Sequence, residues 1–445
     1  MKKTIIPLIL LLITAVPHAA FGEGGPPLTL DECVRAGLSG NKSLLAETEK
    51  VEAAKAGMMK ATSAFLPKLD LSETYMHSNN PVMAFGAKLN QGRFTLADFA
   101  VNNLNNPAAI DNYNSRAQLT QPIFNGGKEW VGLKSAGLGL EAADMGLSRS
   151  RQETVYRAVQ AYYGVVLAGE YVKVAEKSLE TTEGHVKLAQ SLFNQGMLVG
   201  SELLLAKVHL AEVKEMHIRA RNRHATAKAV LNNVLGRPQD TEFIPAEPLK
   251  YVEFPGTLQS FLDEALKARP DLTGMGKGVE SMEAGVEMAK TDYLPNLNFI
   301  ARYDLDDRRP FGGRGESYSL LGVVSWNVFD GLMTTGSVRE ARANYNRTAH
   351  MYDSMKDGVL LEVREAYNST DEARQRIEAA RTAVEEGEEA LRIVKKRFES
   401  GMAKTMDVLD AETALTRART NNIQALYDYN VSVAALKLAV GRMEY

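Results

Sequence analysis

The chain has 445 residues, 24% of them charged, with a formal net charge of -3, so it carries neither the basic field that nucleic acid requires nor an acidic tail. Its one cysteine, Cys33, excludes an internal disulfide framework and any thiolate metal cluster, and reads as a buried thiol. The length exceeds one ordinary core and calls for two units or an elongated repeat architecture.

Lys2 and Lys3 precede the apolar run "IIPLILLLITAV" and the small-residue stretch "PHAAFGEGG", the layout of a secretory signal peptide over residues 1–22. No later segment has the roughly 20 apolar residues of a membrane-spanning helix, so an exported chain that crosses a membrane must do so as a closed β-barrel.

Thr29 and Glu32 form a capping box, after which residues 33–64 read as one helix ending before Pro67. "LDLSETYMH" (69–77) and "RAQLTQPIF" (116–124) read as strands joined by a long loop, and residues 128–193 as a very long helix. In that helix Ala158, Val165, Val172, Leu179, Val186 and Phe193 recur every seven residues beside a second row of Ala161, Ala168, Ala175, Thr182 and Ala189. A 3.5-residue period identifies coiled-coil packing, and the small residues of the second row imply close helix approach. Gly196 marks the reversal, Leu203 to Leu235 the antiparallel return, and residues 237–256, with four prolines, an irregular connector.

The second half repeats the first. At an offset of 205, Phe124 meets Phe329, Gly126 meets Gly331, Gly196 meets Gly401 and Gly236 meets Gly441; upstream the offset is 228, so the first half carries a 23-residue insertion between Leu69 and Phe124. "LNFIARYDL" (297–305) alternates apolar and polar residues, "YSLLGVVSWNVF" (318–329) is its partner, and the short polar segment "DDRRPFGGRGES" joins them. The heptads return as Val363, Thr370, Ile377, Val384, Leu391 and Phe398 against Ala366, Ala373, Ala380, Gly387 and Val394, and Val408 to Val440 form the return helix. Two repeats, 28–236 and 257–445, therefore each contain a helix, two strands, a long helix and a return helix. Four strands cannot close a barrel, since the smallest spanning barrels use about eight; several copies must combine.

Only the second repeat carries the acid pair Asp407 and Asp410, where the first has Glu202 and Leu205. At i, i+3 the two carboxylates share one helix face. From the residues alone, a solvated face suffices to explain them, but the repeat contrast shows that the fold does not need the pair. Glycine's left-handed conformation likewise suffices to explain Gly196 and Gly401.

The segments "LTLDECVRAGLSGNKSL", "FLPKLDLS", "QPIFNGG", "FNQG", "FESG" and "TMDVLDAETAL", in this order and duplicated, resemble the TolC family of outer-membrane efflux proteins over nearly the whole mature chain. The resemblance implies a mixed α and β membrane protein: a homotrimer with a 12-stranded β-barrel in outer-membrane lipid and a coiled-coil α-helical barrel through the periplasm. It implies the exit duct of a tripartite efflux pump or type I secretion system, docked through a periplasmic adaptor to an inner-membrane transporter. It further implies that Asp407 and Asp410 line a periplasmic gate with Phe398, which stands where the family often has tyrosine. Ala403, with Lys404 beside it, replaces the family's usual arginine. The tips at Gly196, Met197, Val199, Gly401, Met402 and Lys404 become the adaptor-docking grooves.

No cofactor is expected, and no glycine-rich phosphate loop or cluster of His, Cys and carboxylate suggests an enzyme; His217 and His224 read as exposed helix histidines. The competing reading is an elongated structural coiled-coil protein of the cell envelope, which explains the heptads but not the four amphipathic strands.

Overall fold

A computed structural model of the chain describes residues 25–443; the signal peptide expected at 1–22 lies outside the described residues. In chain order the elements are β1 (Pro27–Leu28), α1 (Leu30–Gly40), α2 (Lys42–Thr62), β2 (Lys68–Ser78), α3 (Pro81–Asn90), α4 (Val101–Asn105), β3 (Ile110–Asn125), α5 (Lys128–Asn194) and α6 (Gly200–Val234). There follow β4 (Ile244–Pro245), α7 (Leu258–Ala268), α8 (Pro270–Lys290), β5 (Asn296–Asp307), β6 (Gly315–Ser325), α9 (Met333–Glu399) and α10 (Thr405–Val440).

The opening helix is two helices rather than one. Asn41 ends α1 in an extended conformation and caps α2, its side chain accepting the N–H of Leu44 at 3.1 Å while its amide donates to the Val234 carbonyl at 2.8 Å. An asparagine that satisfies free backbone groups on both sides makes the break inexpensive. The capping box at Thr29 and Glu32 is formed. Cys33 is fully buried, and burial pushes its thiol up to about 12.

The two long helices, α5 and α9, each have 67 residues, about 100 Å at 1.5 Å per residue. Among the described residues no helix is long and apolar enough to cross a membrane. Their packing follows the heptads: Val363, Ala373, Leu391 and Phe398 are buried on α9, and Ala158, Val165, Ala168, Ala175, Thr182 and Ala189 on α5. Phe193 departs from the pattern, being 42% exposed beside a turn where its counterpart Phe398 is 4% exposed. A Cβ on Gly387 would lie 3.4 Å from a Leu415 methyl and 3.5 Å from its Cα, which is the close approach that the small-residue row implies.

At mid-height the connector and the helix ends form a polar clamp. The Tyr162 hydroxyl donates to the Leu28 carbonyl at 3.2 Å and accepts the Glu247 N–H at 2.9 Å, beside the parallel β1–β4 pair. The end of α10 is capped by cations: Arg149 donates to the Leu438 carbonyl at 2.9 Å and buried Arg269 to that of Ala439 at 3.1 Å, where free carbonyls and the helix dipole favour positive charge.

The four long strands form one antiparallel sheet in the order β2-β3-β5-β6, with 11, 16, 12 and 11 residues, long enough for tilted strands to cross a bilayer. Pro122, which has no N–H to donate, sits at the bulge between Pro122 and Phe124. Two strands differ from expectation. β3 begins at Ile110, because Tyr113↔Asp307 and Ser78↔Ile110 extend the pairing, and β6 ends at Ser325, where the Trp326 indole turns to donate to the Tyr293 carbonyl at 3.0 Å. The long first-half loop is partly helical, containing α3 and α4.

The register gives the sheet two distinct faces. Leu69, Leu71, Tyr75, Tyr113, Leu119, Phe299, Tyr303, Tyr318 and Leu320 share one, and Leu71 on it is 77% exposed. The other is polar: Arg116 pairs with Asp304 at 2.7 Å, Asn114 donates to Asp304 at 3.1 Å, and Arg302 donates to Gln118 at 2.8 Å. An outward apolar face and a polar lumen are what a spanning barrel requires. Among the described residues, edge strands β2 and β6 have no further partner, an arrangement that calls for another copy.

Candidate functional site

The far ends of the helices, opposite the sheet, hold most of the residues singled out by sequence. Both reversals are built alike. Gly196 (φ +75°) donates to the Phe193 carbonyl at 2.9 Å and Met197 to that of Leu192 at 2.9 Å; Gly401 (φ +73°) donates to Phe398 at 2.9 Å and Met402 to Arg397 at 2.8 Å. This left-handed closure satisfies the last carbonyls of α5 and α9. A Cβ at either glycine would meet nothing within 4 Å, so the backbone conformation alone calls for glycine there. Met197, Val199, Met402 and Lys404 are all exposed, which leaves bare apolar groups on both tips and a cation on the second.

Lys404 precedes α10, and its backbone N–H donates to the Asp407 carboxylate at 2.8 Å. Asp407 therefore closes a free donor at the helix N-terminus, where negative charge is favoured. Asp410 makes no hydrogen bond or ion pair among the described residues and is exposed on the same side as Asp407. At the equivalent place in the first repeat, the Glu202 carboxylate instead accepts the buried Thr405 hydroxyl at 2.9 Å. The two acids of the equivalent positions do different work: one ties the repeats together and one caps its own helix.

Phe398 is not brought together with the acid pair. It packs with Leu391, Val408 and Leu415 in the core of the tip, joined by Leu188, Leu192 and Leu198 of the other repeat. Its ring lies 5.0 Å from that of His185.

Behind it is a polar cluster that was not expected from sequence. Glu412 is 4% exposed, accepts the Thr182 hydroxyl at 3.1 Å and pairs with Lys395 at 3.3 Å. A carboxylate this deep is retained only when paired and hydrogen-bonded. His185 is also buried, its Nε2 has no hydrogen-bond partner among the described residues, and burial holds its imidazole below the ordinary histidine range, with Glu412 opposing and Lys395 and His209 adding to the shift. The signal was present in the spacing: Thr405, Val408, Glu412 and Leu415 follow a heptad seam, so Glu412 is a charge at a core position. Thr182 is likewise the one polar member of its row.

Among the described residues no group of three or more His, Cys or carboxylate side chains could hold a metal. What the tip offers is an exposed pair of carboxylates at one end of a long sheaf of helices whose other end is a membrane-competent sheet.

Known proteins share this fold. The family model for outer membrane efflux proteins matches residues 34–237 and 261–442, one stretch in each repeat. The chain is 25% identical over 349 residues to the alkaline protease secretion protein AprF of Pseudomonas aeruginosa, covering 75% of this chain and 70% of that protein. It is 23% identical over 401 residues to outer membrane protein TolC of Escherichia coli, covering 86% and 76%. Among solved structures, the outer-membrane channel OprN superposes with a TM-score of 0.79 at 18% identity over 93% of this chain and 89% of that one, and CusC with 0.78 at 16% over 98% and 99%. With both of its repeats matched, the chain belongs to the outer membrane efflux protein family.

Proposed function

We propose that three copies of this outer-membrane channel protein assemble into one continuous tube, the exit duct of a tripartite efflux pump or type I secretion system. The helical sheaf extends into the periplasm, and the sheet spans the outer membrane. The observation that carries the assembly is the four-stranded sheet, with one apolar face, one polar face and two open edges: three copies supply 12 strands, above the roughly eight that a closed spanning barrel needs. A coiled-coil protein without channel activity has no use for such a sheet.

In the trimer, three Asp407 and three Asp410 side chains gather around one axis at the periplasmic end, forming an anionic neck that attracts cations and limits passage. Phe398, buried behind that neck, supports it by packing. The matched tips at Gly196, Met197, Val199, Gly401, Met402 and Lys404 present alternating grooves to a periplasmic adaptor, which delivers cargo from an inner-membrane transporter. The protein conducts passively, and its neck provides no catalytic group. The secretion-protein name of one relative and the efflux name of the family both fit this duct, in which cargo choice falls to the transporter.

Cross-linking in intact cells followed by purification tests the assignment. Recovery of heat-modifiable trimers from outer membranes, with an adaptor and an inner-membrane transporter attached, is the expected result. A soluble, elongated oligomer with neither companion overturns it.

A further inference from the structure

The first-repeat insertion forms a folded lobe, residues 79–109, and its attachment identifies the side of the sheet on which it lies. Gln91 is fully buried and donates at 2.8 Å both to the Asp111 carbonyl and to the Asn112 side chain, which in turn donates to Asp306 at 2.6 Å. Asn112 and Asp306 belong to the polar face by register. Ala84 and Ala87 bury against Ile110 and Met76 of that same face. A Cβ on Gly315, opposite Asp306 in the ladder, would sit 1.7 Å from the Asn90 carbonyl oxygen, so the lobe presses directly on the sheet there.

We propose that this lobe folds inward over the lumen and meets the lobes of the other two subunits, narrowing the extracellular mouth into a second constriction. The inference rests on the trimeric reading above. Twelve strands about 4.8 Å apart and tilted about 40° enclose a ring of roughly 24 Å between backbones. Three helices of about 10–12 Å diameter, set side by side, fill a circle of about that size. The lobe's surface suits contact with its own copies. Lys88 and Asp98 neutralise each other at 2.7 Å and Arg93 turns back to Gln91 at 3.0 Å. Val82, Leu96 and Val101 meanwhile stand 80%, 89% and 73% exposed. Lipid is not the occupant, because the anchor lies on the face opposite the bare leucines and tyrosines.

Two measurements on the full-length chain test this. In a Cys33→Ala background, Leu96→Cys in intact cells treated with a short bis-maleimide is expected to give cross-linked subunits. Gln91→Ala, and separately replacement of residues 80–109 by a short Gly-Ser linker, are expected to raise single-channel conductance by at least about twofold with block by cations at the periplasmic face unchanged. Wild-type trimers that conduct, together with variants of unchanged conductance and a Leu96→Cys that reacts with external maleimide but never cross-links, overturn the lobe alone. Failure of the wild-type chain to form conducting trimers overturns the trimeric reading and the lobe with it.

Discussion

The hydroxyl of Thr405 donates to the carboxylate of Glu202 at 2.9 Å, joining the start of one return helix to the start of the other. Thr405 is fully buried, so no water replaces the bond when it is removed. Thr405→Val is expected to weaken the contact between the hairpins by about 1 kcal/mol and to speed amide hydrogen exchange in both tips, whereas Thr405→Ser, which keeps the hydroxyl, is not. Equal exchange in wild type and the valine variant contradicts this role.

The buried His185 gives the tip a pH dependence of known sign. Its folded pKa lies below the unfolded value, so between the two the unfolded chain binds more protons and stability rises with pH. The contribution is complete above about 6.5 and is lost as pH falls from there toward the depressed folded value. His185→Phe, beside the Phe398 ring, is expected to flatten the difference between thermal midpoints at pH 5 and pH 7.5 in detergent. A variant with the same pH slope as wild type assigns the titration elsewhere.

Gly387 tolerates one added carbon and no more. Its Cβ would make ordinary contact with Leu415, and the helix interior gains roughly 1 kcal/mol on replacing glycine by alanine. Gly387→Ala is therefore expected to raise the thermal midpoint, and Gly387→Leu to lower it by an overpacking cost of about 1–3 kcal/mol. If leucine is tolerated as well as alanine, α9 and α10 do not approach here as closely as the small-residue row implies.

Leu332 starts α9 at φ +74°, a position that its counterpart Gly127 occupies at φ +87°. For a residue with a Cβ this conformation costs roughly 1–2 kcal/mol, and Leu332 is 68% exposed, so it recovers little by packing. Leu332→Gly is expected to raise stability by about 1 kcal/mol, measured as a higher midpoint of thermal unfolding in detergent. A lower midpoint means that the leucine is held by contacts with another subunit.

Much of the architecture is legible in the sequence because the chain carries two copies of it. The heptads of α5 and α9, the turns at Gly196 and Gly401 and the alternation in β5 each depend on a period that local residues enforce. The break at Asn41 is less legible, since one capping asparagine acts through a carbonyl at Val234, far along the chain. The lobe over the sheet escapes for a related reason. It occurs once, and its position depends on Gln91 reaching Asn112 and Asp306, contacts that no periodicity encodes. At the tip, spacing places Asp407 and Asp410 on one exposed face, as found. It gives no hint that Asp407 caps Lys404, or that Phe398 turns into the core while Phe193 stays half open.

The capping role of Asp407 means that its removal also costs helix stability, about 0.3–1 kcal/mol, whereas Asp410 makes no such bond. The measurement that tests the account most directly is therefore the conductance of purified trimers in planar bilayers, with multivalent cations added at the periplasmic face, for wild type, Asp410→Ala and the double alanine variant. The account predicts that cations block wild type, that Asp410→Ala weakens the block, and that the double variant loses most of it while conducting more. Conductance and block unchanged in both variants would contradict an anionic neck formed by this pair.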